Sequence, residues 1–386
     1  MNFMLTDDQR SLLDALDKTL STFGDDYWLE CDRSGDFPEA FVAAMAEGGW
    51  LGIAMPEEVG GSGLGVTEAA LMMRAVAAKG GMTAASSIHM NIFGPKSLAT
   101  FGNQEQCERW LPDIIAGRTR MCFAVTEPNT GLDTTRLKTK AERRGDHYVV
   151  NGHKVFISTA QSAHKIMLIA RTAPRDDANP TAGLSLFFTN LDRSRIDVRL
   201  IDKMGRKAVD TNELFIDDLE IPVDDLVGEE GKGFNYLLHS LNPERILIAS
   251  EAVGIGQDAL RRATEYAKER VVFERPIGMN QSIQHPLAAG WAQLEAALLM
   301  MLKAANLYDA GQPCGVEANA AKYLAAEAGQ DMCRQAVATH GGMGYAREFH
   351  VERLFREILI PYLAPVSQQL VLCYLAERAL GLPKSY

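Results

Sequence analysis

The sequence lacks the features that mark secreted, membrane-spanning and metal-binding proteins. Its 386 residues contain six cysteines, scattered without the close pairs of a zinc site or a secretory context that would favour disulfides. No apolar run is long enough to cross a membrane. The first residues carry neither a basic flank nor a sustained apolar run, so no targeting peptide is expected. The sequence therefore predicts a cytoplasmic protein with inert thiols, no metal and no membrane insertion.

Basic side chains are also too few to suggest a nucleic-acid partner. The chain has 39 lysines and arginines against 50 aspartates and glutamates, for a formal net charge of -11. That balance opposes binding to a phosphate backbone. Hydrophobic residues make up 47% of the chain, enough for a large core, and the length allows two or three domains.

Apolar periodicity divides the sequence into three parts. Residues 6 to 117 show helical spacing, with Thr6 in the position of an N-cap. Residues 121 to 229 consist of short β-branched and aromatic runs separated by turn residues. From residue 231 helical spacing returns in longer segments that need antiparallel partners. The sequence therefore predicts an α+β protein with an N-terminal α-helical domain (1–119), a middle antiparallel β domain (120–229) and a C-terminal helix bundle (230–386).

One segment of the middle part carries groups suited to a flat heteroaromatic ligand with a pyrophosphate. Between residues 122 and 135 stand the hydroxyls of Thr126, Thr130, Thr134 and Thr135. Backbone amides around Pro128 and Gly131 add donors of the kind that bind phosphate. This combination indicates a binding site for a flavin.

A second segment, residues 148 to 159, would add an aromatic ring and a hydroxyl. Asn151-Gly152 between two β-rich runs predicts a hairpin with a two-residue type I′ turn. Phe156 and Ser158 would then share one strand face, where the ring can pack on a flavin and the hydroxyl can contact its edge. An ordinary core phenylalanine is the alternative interpretation of Phe156.

These two segments resemble the acyl-CoA dehydrogenase family, whose flavin loop reads Thr-Glu-Pro-x-x-Gly-Ser-Asp and whose next element reads Lys-x-Trp-Ile-Thr/Ser. Further motifs follow in the family's order: Lys203-Met-Gly-Arg206, Leu214-Phe-Ile-Asp-Asp218, Val227-Gly-Glu-Glu-Gly-Lys-Gly-Phe234, Glu269-Arg-Val-Val-Phe273, His340-Gly-Gly-Met-Gly-Tyr345 and Arg353-Leu-Phe-Arg-Glu357. The resemblance thus extends from the flavin loop towards the C-terminus, and it implies the family's fold and its FAD cofactor.

The reaction that the resemblance implies is α,β-dehydrogenation of an acyl-CoA thioester to the trans-2-enoyl-CoA. A carboxylate removes a proton from Cα while the flavin N5 takes a hydride from Cβ. The resemblance also implies an electron-transfer flavoprotein as electron acceptor and a homo-oligomer, expected to be a tetramer. For the acyl group, a short-to-medium or methyl-branched aliphatic chain is expected.

Cofactor-binding residues carry over from the family position by position. Those expected from the same chain are Phe123, Val125, Thr126, Gly131, Leu132, Phe156 and Ser158, and Gln368 is a further expected cofactor-binding residue. Those expected to reach the cofactor of a neighbouring subunit are Arg270, Phe273, Gln281, Gly341 and Gly342. Phe156 stands where the family most often has tryptophan, and Leu132 replaces a serine that contacts phosphate.

The catalytic base is where the chain departs from the commonest family pattern. Many members carry a glutamate near the C-terminus, but here Ala364 occupies that position. Isovaleryl-CoA and long-chain dehydrogenases instead carry it in a Leu-x-x-Glu-Arg motif, which Leu241-Asn-Pro-Glu-Arg245 matches. Glu244 is therefore the candidate base. The alternative is that Asn242, Pro243 and Glu244 form an ordinary helix start.

Three further alternatives concern Arg245 and the reaction itself. Arg245 matches the family arginine that contacts the CoA moiety, with a surface ion pair as the alternative. A flavin-dependent monooxygenase would keep the fold without needing a Cα base. A non-catalytic flavin-binding member would explain Ala364 as a mark of lost activity, although the retained flavin residues oppose that interpretation.

Overall fold

The computed structural model describes residues 4–385, and its first part is helical. The helices of this part are α1 (Asp7–Leu20), α2 (Asp25–Ser34), α3 (Glu39–Glu47), α4 (Val66–Phe93), α5 (Lys96–Phe101) and α6 (Gln104–Ile115). The N-cap predicted at Thr6 is confirmed, because its hydroxyl accepts the Gln9 backbone N–H at 3.1 Å and the Gln9 side chain accepts the Thr6 N–H. Helix α1 therefore begins where the sequence predicts.

Helix α4 runs through the protein interior and is broken near its middle. Gly81 has a φ of +71°, which interrupts the helical backbone. Beyond the break, the Thr83 N–H and hydroxyl donate to the buried Glu357 carboxylate, and Arg353 donates to the Gly80 carbonyl at 3.0 Å. These buried bonds hold the second half of α4 at a fixed angle.

The middle part of the chain forms one sheet. Its strands are β1 (Met121–Ala124), β2 (Lys140–Arg144), β3 (His147–Ser158), β4 (Lys165–Arg171), β5 (Leu184–Asn190), β6 (Ile196–Leu200), β7 (Thr211–Pro222) and β8 (Leu226–Val227). Among the described residues the order is β6-β7-β3-β2-β4-β5-β8, with β1 beside β4. Most pairs are antiparallel, but β1 runs parallel to β4 and β2 makes a short parallel contact with β4. The sheet is therefore mixed, since the long connection between β1 and β4 lets them align in parallel.

The hairpin predicted at Asn151-Gly152 is wrong. Strand β3 continues through both residues, and the turn to β2 lies instead at Gly145, whose φ is +67°. The Asn151 side chain bonds across to Asp218 of β7, at 2.9 Å to its N–H and to its carboxylate. Gly152 packs so closely on the Thr139 side chain that a Cβ would lie 2.3 Å from its hydroxyl oxygen. Cross-strand contacts thus outweigh the local turn preference of Asn-Gly.

The last part of the chain is a helix bundle with a small β hairpin. Its elements are α7 (Gly233–Glu269), β9 (Val271–Val272), β10 (Arg275–Pro276), α8 (Gln281–Asp309), α9 (Gly315–His340), α10 (Val351–Glu357), α11 (Leu359–Leu363) and α12 (Gln368–Arg378). Helices α7, α8 and α9 pack on one another, and α4 packs on α7. Small buried residues allow this close approach. A Cβ added at Gly256 of α7, for example, would lie only 3.2 Å from the Gly329 Cα of α9. The predicted three-part architecture is confirmed, while the domain boundaries at 119/120 and 229/230 stay predictions.

The described residues include neither a single membrane-spanning helix nor a cluster of metal ligands. Between residues 4 and 385 no single helix combines the length and apolarity needed to cross a membrane, although the bent pair 351–363 and 368–378 reaches those limits jointly. No group of three or more histidine, cysteine, aspartate or glutamate side chains in that range could hold a metal ion. All six cysteines are free.

Candidate active site

The predicted flavin loop follows β1 and is held in place by a buried ion pair between Lys154 and Glu127. Lys154 is fully buried on β3, and its ammonium donates to Glu127 Oε1 and to the Val125 carbonyl, both at 3.0 Å. The Glu127 carboxylate also accepts the backbone N–H groups of Lys138 and Thr139 and the Thr139 hydroxyl. These bonds satisfy the buried charges and hold the loop in one conformation.

The electrostatics of this anchor favour its charged form. Burial raises the pKa of Glu127, but Lys154 and the Thr139 and Lys138 donors outweigh it, so that the pKa lies below its usual value. Burial lowers the pKa of Lys154 to about 8 despite the attraction of Glu127. The pair therefore stays ionised at neutral pH.

The two predicted flavin segments lie side by side. The Val155 N–H donates to the Thr126 carbonyl at 2.9 Å, which joins the end of β3 to the loop. Phe156 sits in a bulge with a φ of +61° and is 66% exposed, so the interpretation as a core phenylalanine is wrong. Ser158 is partly buried, and its hydroxyl accepts a bond from Arg206 at 3.1 Å. An exposed ring offers a face on which a ligand can stack, and a non-glycine residue in a left-handed conformation is more frequent at functional sites.

The remaining residues predicted for the same cofactor in β1 and the loop after it differ in their exposure. Phe123 and Val125 are partly buried, and the Phe123 ring lies 5.3 Å from that of Phe93 on α4. Leu132 is exposed, and a Cβ added at Gly131 would meet open space. An exposed aromatic face, partly accessible hydroxyls and free space at the glycine fit the ring and pyrophosphate of FAD.

The residues predicted to serve a neighbouring subunit gather at one end of the helix bundle. Arg270 ends α7, Gln281 begins α8, and Gly341 and Gly342 follow α9, where Gly341 has a φ of +60°. Stacked rings of Tyr266 and His340, 4.3 Å apart, join the ends of α7 and α9. All five predicted residues are exposed, and Phe273 is 94% exposed. The structure thus brings together residues that are up to 72 positions apart in sequence (342 − 270).

Glu244 lies inside α7, not at its start. The helix begins at Gly233, so the interpretation of Asn242, Pro243 and Glu244 as a helix start is wrong. Burial raises the pKa of Glu244 to about 7, although His89 and Arg245 attract its charged form. Among residues 4–385 its carboxylate has no hydrogen-bond partner. A partly buried carboxylate whose pKa lies near 7 has the properties of a general base.

Arg245, the next residue of α7, has a partly buried side chain. Its Nη1 donates to the Asn242 side chain at 3.2 Å, and its Nε is buried without a partner. Within the described part of the chain it makes no ion pair, so the surface ion-pair interpretation is not supported. Its remaining donors are free for a carbonyl or phosphate oxygen.

The loop of residues 361 to 368, where many family members carry the base, is held by a buried cation instead. Lys322 of α9 donates to the carbonyls of Tyr362 and Val366 and to the Gln368 side chain. Burial lowers the pKa of Lys322 to about 8. Gln368 also donates to Glu327 and to the Tyr323 carbonyl, so its amide is occupied within the chain and its predicted cofactor contact stays a prediction.

The sequence analysis did not predict three buried charged residues near the candidate site, namely His89, Arg206 and Glu251. His89 and Glu251 form a close pair, and Arg206 donates to Ser158, Ser86 and Thr211. The available signal was a charged residue inside an otherwise apolar stretch, such as Glu251 within residues 246 to 256.

Comparison with known proteins gives the same picture along the whole chain. Residues 6–118 match the family model for the acyl-CoA dehydrogenase N-terminal domain, residues 122–219 its middle domain and residues 231–364 its C-terminal domain. In solved structures, butyryl-CoA dehydrogenase from Megasphaera elsdenii superposes with a TM-score of 0.93 at 29% identity, covering 99% of this chain and 100% of that chain.

Two curated relatives illustrate the range of similar proteins. Acyl-CoA dehydrogenase FadE12 of Mycobacterium tuberculosis is 36% identical over 390 residues, covering 100% of this chain and 99% of its own. The caffeyl-CoA reductase-Etf complex subunit CarC of Acetobacterium woodii is 34% identical over 329 residues, covering 85% and 86%. The chain belongs to the acyl-CoA dehydrogenase family of FAD-linked oxidoreductases.

Proposed function

We propose that the protein catalyses FAD-dependent α,β-dehydrogenation of an acyl-CoA thioester to the trans-2-enoyl-CoA, with Glu244 as the base at Cα. The observation that carries the proposal is the partly buried Glu244 carboxylate beside Arg245, whose pKa burial raises to about 7. Residues 361 to 368 contain no carboxylate, so the position used by many relatives offers no competing base.

The chain's own residues would hold the cofactor in two parts. Phe156 offers a ring face, Thr126 and Ser158 offer hydroxyls, and Arg270 and Phe273 project from the bundle end towards another subunit. When bound, FAD supplies the hydride acceptor of the reaction. The buried Lys154–Glu127 pair keeps the loop in place without itself reaching the surface.

Glu244 and Arg245 have separate proposed roles, proton removal for Glu244 and substrate binding for Arg245. The Glu244 carboxylate takes the Cα proton, and a pKa of about 7 leaves it largely ionised at pH 8 yet basic enough to hold that proton. Arg245 would bind an oxygen of the CoA moiety through its unoccupied donors. Because burial by substrate withdraws more water, the carboxylate becomes a stronger base in the complex.

The electron acceptor, assembly and acyl group complete the proposal. An electron-transfer flavoprotein is proposed as acceptor, in keeping with the relative named as part of a reductase-Etf complex. A homotetramer and a short-to-medium or methyl-branched acyl group are proposed on the resemblance stated above. The cytoplasmic location stays a prediction.

Anaerobic mixing of the FAD-loaded protein with straight and branched acyl-CoAs tests the proposal through bleaching of the flavin absorbance. We expect Glu244→Gln to lower the bleaching rate by roughly two to four orders of magnitude. Glu265→Gln, an exposed glutamate on the same helix, serves as the matched control and should keep the native rate. A near-native rate for Glu244→Gln would exclude it as the base.

Flavin bleaching, together with the reaction of reduced flavin with oxygen, distinguishes the two alternative functions. No bleaching by any acyl-CoA, with rapid reaction of chemically reduced flavin with oxygen, would favour a monooxygenase. Absence of both reactions would favour a non-catalytic flavin protein. No residue contact in the structure specifically favours either alternative over dehydrogenation.

A further inference from the structure

The interface between α4 and α7 contains a buried acid–imidazole pair that the proposed reaction does not use. His89 Nδ1 on α4 lies 2.6 Å from Glu251 Oε1 on α7. His89 is 3% exposed and Glu251 is fully buried. The second carboxylate oxygen of Glu251 has no hydrogen-bond partner. The pair is therefore enclosed in the protein and only partly satisfied.

Helix geometry places this pair beside the candidate base. Glu251 follows Glu244 by seven residues, about two helical turns, so both side chains project from the same face of α7. That helix packs against α4, which carries His89. The charges of His89 and Glu251 both act on the Glu244 carboxylate, and the attraction by His89 is the larger of the two.

Three charged groups act on His89 from the surrounding elements. Glu251 contacts it and acts through its charge, whereas Glu244 and Arg206 act through charge alone. Arg245, at the next position of α7, acts on Glu244. Burial opposes the charged imidazole and Arg206 repels it, but Glu251 and Glu244 outweigh both and raise the pKa of His89. These neighbours thus favour the charged form of the imidazole more than water does for a free histidine.

Stability alone does not account for such a pair. A buried ion pair is often no more stable than well-packed apolar side chains of the same volume. The orphaned Glu251 oxygen adds a further cost, since an unsatisfied buried acceptor forfeits its hydration. A pair that costs stability next to a reactive carboxylate has a physical rationale if it acts on that carboxylate.

We propose that His89 and Glu251 act as one positioning unit that holds a positive charge beside the Glu244 carboxylate and favours its ionised form. This inference rests on the proposed role of Glu244 as the base. Neither residue needs to touch substrate, because the effect on Glu244 is electrostatic.

The two residues should be interdependent. Without Glu251, burial alone opposes the charged imidazole, and without His89, Glu251 would be a buried carboxylate without a cationic partner. Either loss leaves a neutral pair, so Glu244 loses the same net attraction in both cases. Two independent charges would behave differently, because removing the negative Glu251 would then make Glu244 more acidic.

The test compares the pH dependence of flavin bleaching in His89→Gln, Glu251→Gln and the double variant. We expect the rising limb to move to higher pH by roughly half a unit to one unit in each single variant, so that the rate below the limb falls about 3- to 10-fold. The double variant should shift no further than either single variant. His285→Gln, an exposed histidine on α8, is the control and should leave the limb in place.

A second readout does not depend on catalysis. The infrared carboxyl band of protonated Glu244, assigned by its loss in Glu244→Gln, should titrate at the same shifted pH in the substrate-free variants. Should His89→Gln not fold, the isosteric Glu251→Gln variant decides alone. Shifts of opposite sign in the two single variants, additive shifts in the double variant or an unchanged limb would overturn the pairing. A native bleaching rate in Glu244→Gln would instead overturn the proposed base.

Discussion

At the scale of single residues, the site depends on ionisable side chains that are withheld from water. Lys154 and Glu127 neutralise each other, and Lys322 is surrounded by carbonyl oxygens. Glu244 differs, because its carboxylate has no hydrogen-bond partner among the described residues. A charge without a partner in a desolvated place costs stability and gains reactivity.

Replacement of Glu244 should therefore stabilise the free protein at alkaline pH. The folded-state pKa of about 7 exceeds the ordinary value of 4.5, so this group's contribution to stability is present below pH 4.5 and is lost as pH rises through 7. We expect Glu244→Gln to restore up to about 3 kcal/mol at pH 8 and much less at pH 5. Thermal unfolding at both pH values measures it, with Glu265→Gln as the control. An equal effect at both pH values would contradict the raised pKa.

At the scale of elements, the flavin loop and α4 are each held by buried contacts with a distant part of the chain. The loop after β1 is held by Lys154 of β3, and the break in α4 is held by the side chains of α10. Neither contact is local in sequence, so each element takes its final conformation only in the assembled protein.

Lys154→Met should destabilise the flavin loop. It removes a buried ammonium and leaves the Glu127 carboxylate with only its Thr139 and Lys138 donors, which should cost roughly 3 kcal/mol or more. Flavin content after purification and thermal unfolding report the effect. Lys140→Met, which removes an exposed lysine from neighbouring β2, should change stability by less than about 1 kcal/mol. Equal flavin content in the two variants would argue against the anchor.

The break in α4 at Gly81 leads to a second prediction for a single element. A Cβ on Gly81 would lie 2.6 Å from Arg353 Nη1 and from Glu357 Oε2. Gly311 has a similar positive φ but open space around it, so Gly311→Ala controls for backbone strain alone. We expect Gly81→Ala to be less stable than Gly311→Ala by about 2 to 4 kcal/mol, measured by thermal unfolding. Similar losses in both would show that the buried contacts can rearrange freely.

At the scale of the whole molecule, the single chain leaves an apolar end uncovered. Phe273 is 94% exposed and Tyr345 is 89% exposed, near the ends of α7 and α9. Exposed aromatic residues of this kind mark surfaces that bind another protein. They lie with the residues predicted to reach the cofactor of another subunit, so the proposed tetramer would link flavin binding to assembly.

A charged residue at the exposed aromatic surface near the ends of α7 and α9 should disrupt both flavin binding and assembly. We expect Phe273→Glu to lower the native mass from the proposed tetramer and to release FAD, because burying an unpaired carboxylate in an interface is unfavourable. Light scattering coupled to size exclusion gives the mass, and absorbance gives the flavin content. Leu200→Glu, also exposed but on β6, should leave both unchanged. A native mass of one chain in the unmodified protein would contradict the tetramer.

The sequence by itself determined the order of the three parts, and it predicted a flavin loop with Thr126 and Glu244 as the base, because periodicity and short motifs are local properties. Only the tertiary structure decided that β3 passes through Asn151 and Gly152, that Glu244 lies inside a helix, and that His89 meets Glu251, 162 positions away. Burial and long-range contacts set these outcomes. Such contacts arise when distant elements pack, and no local pattern encodes them.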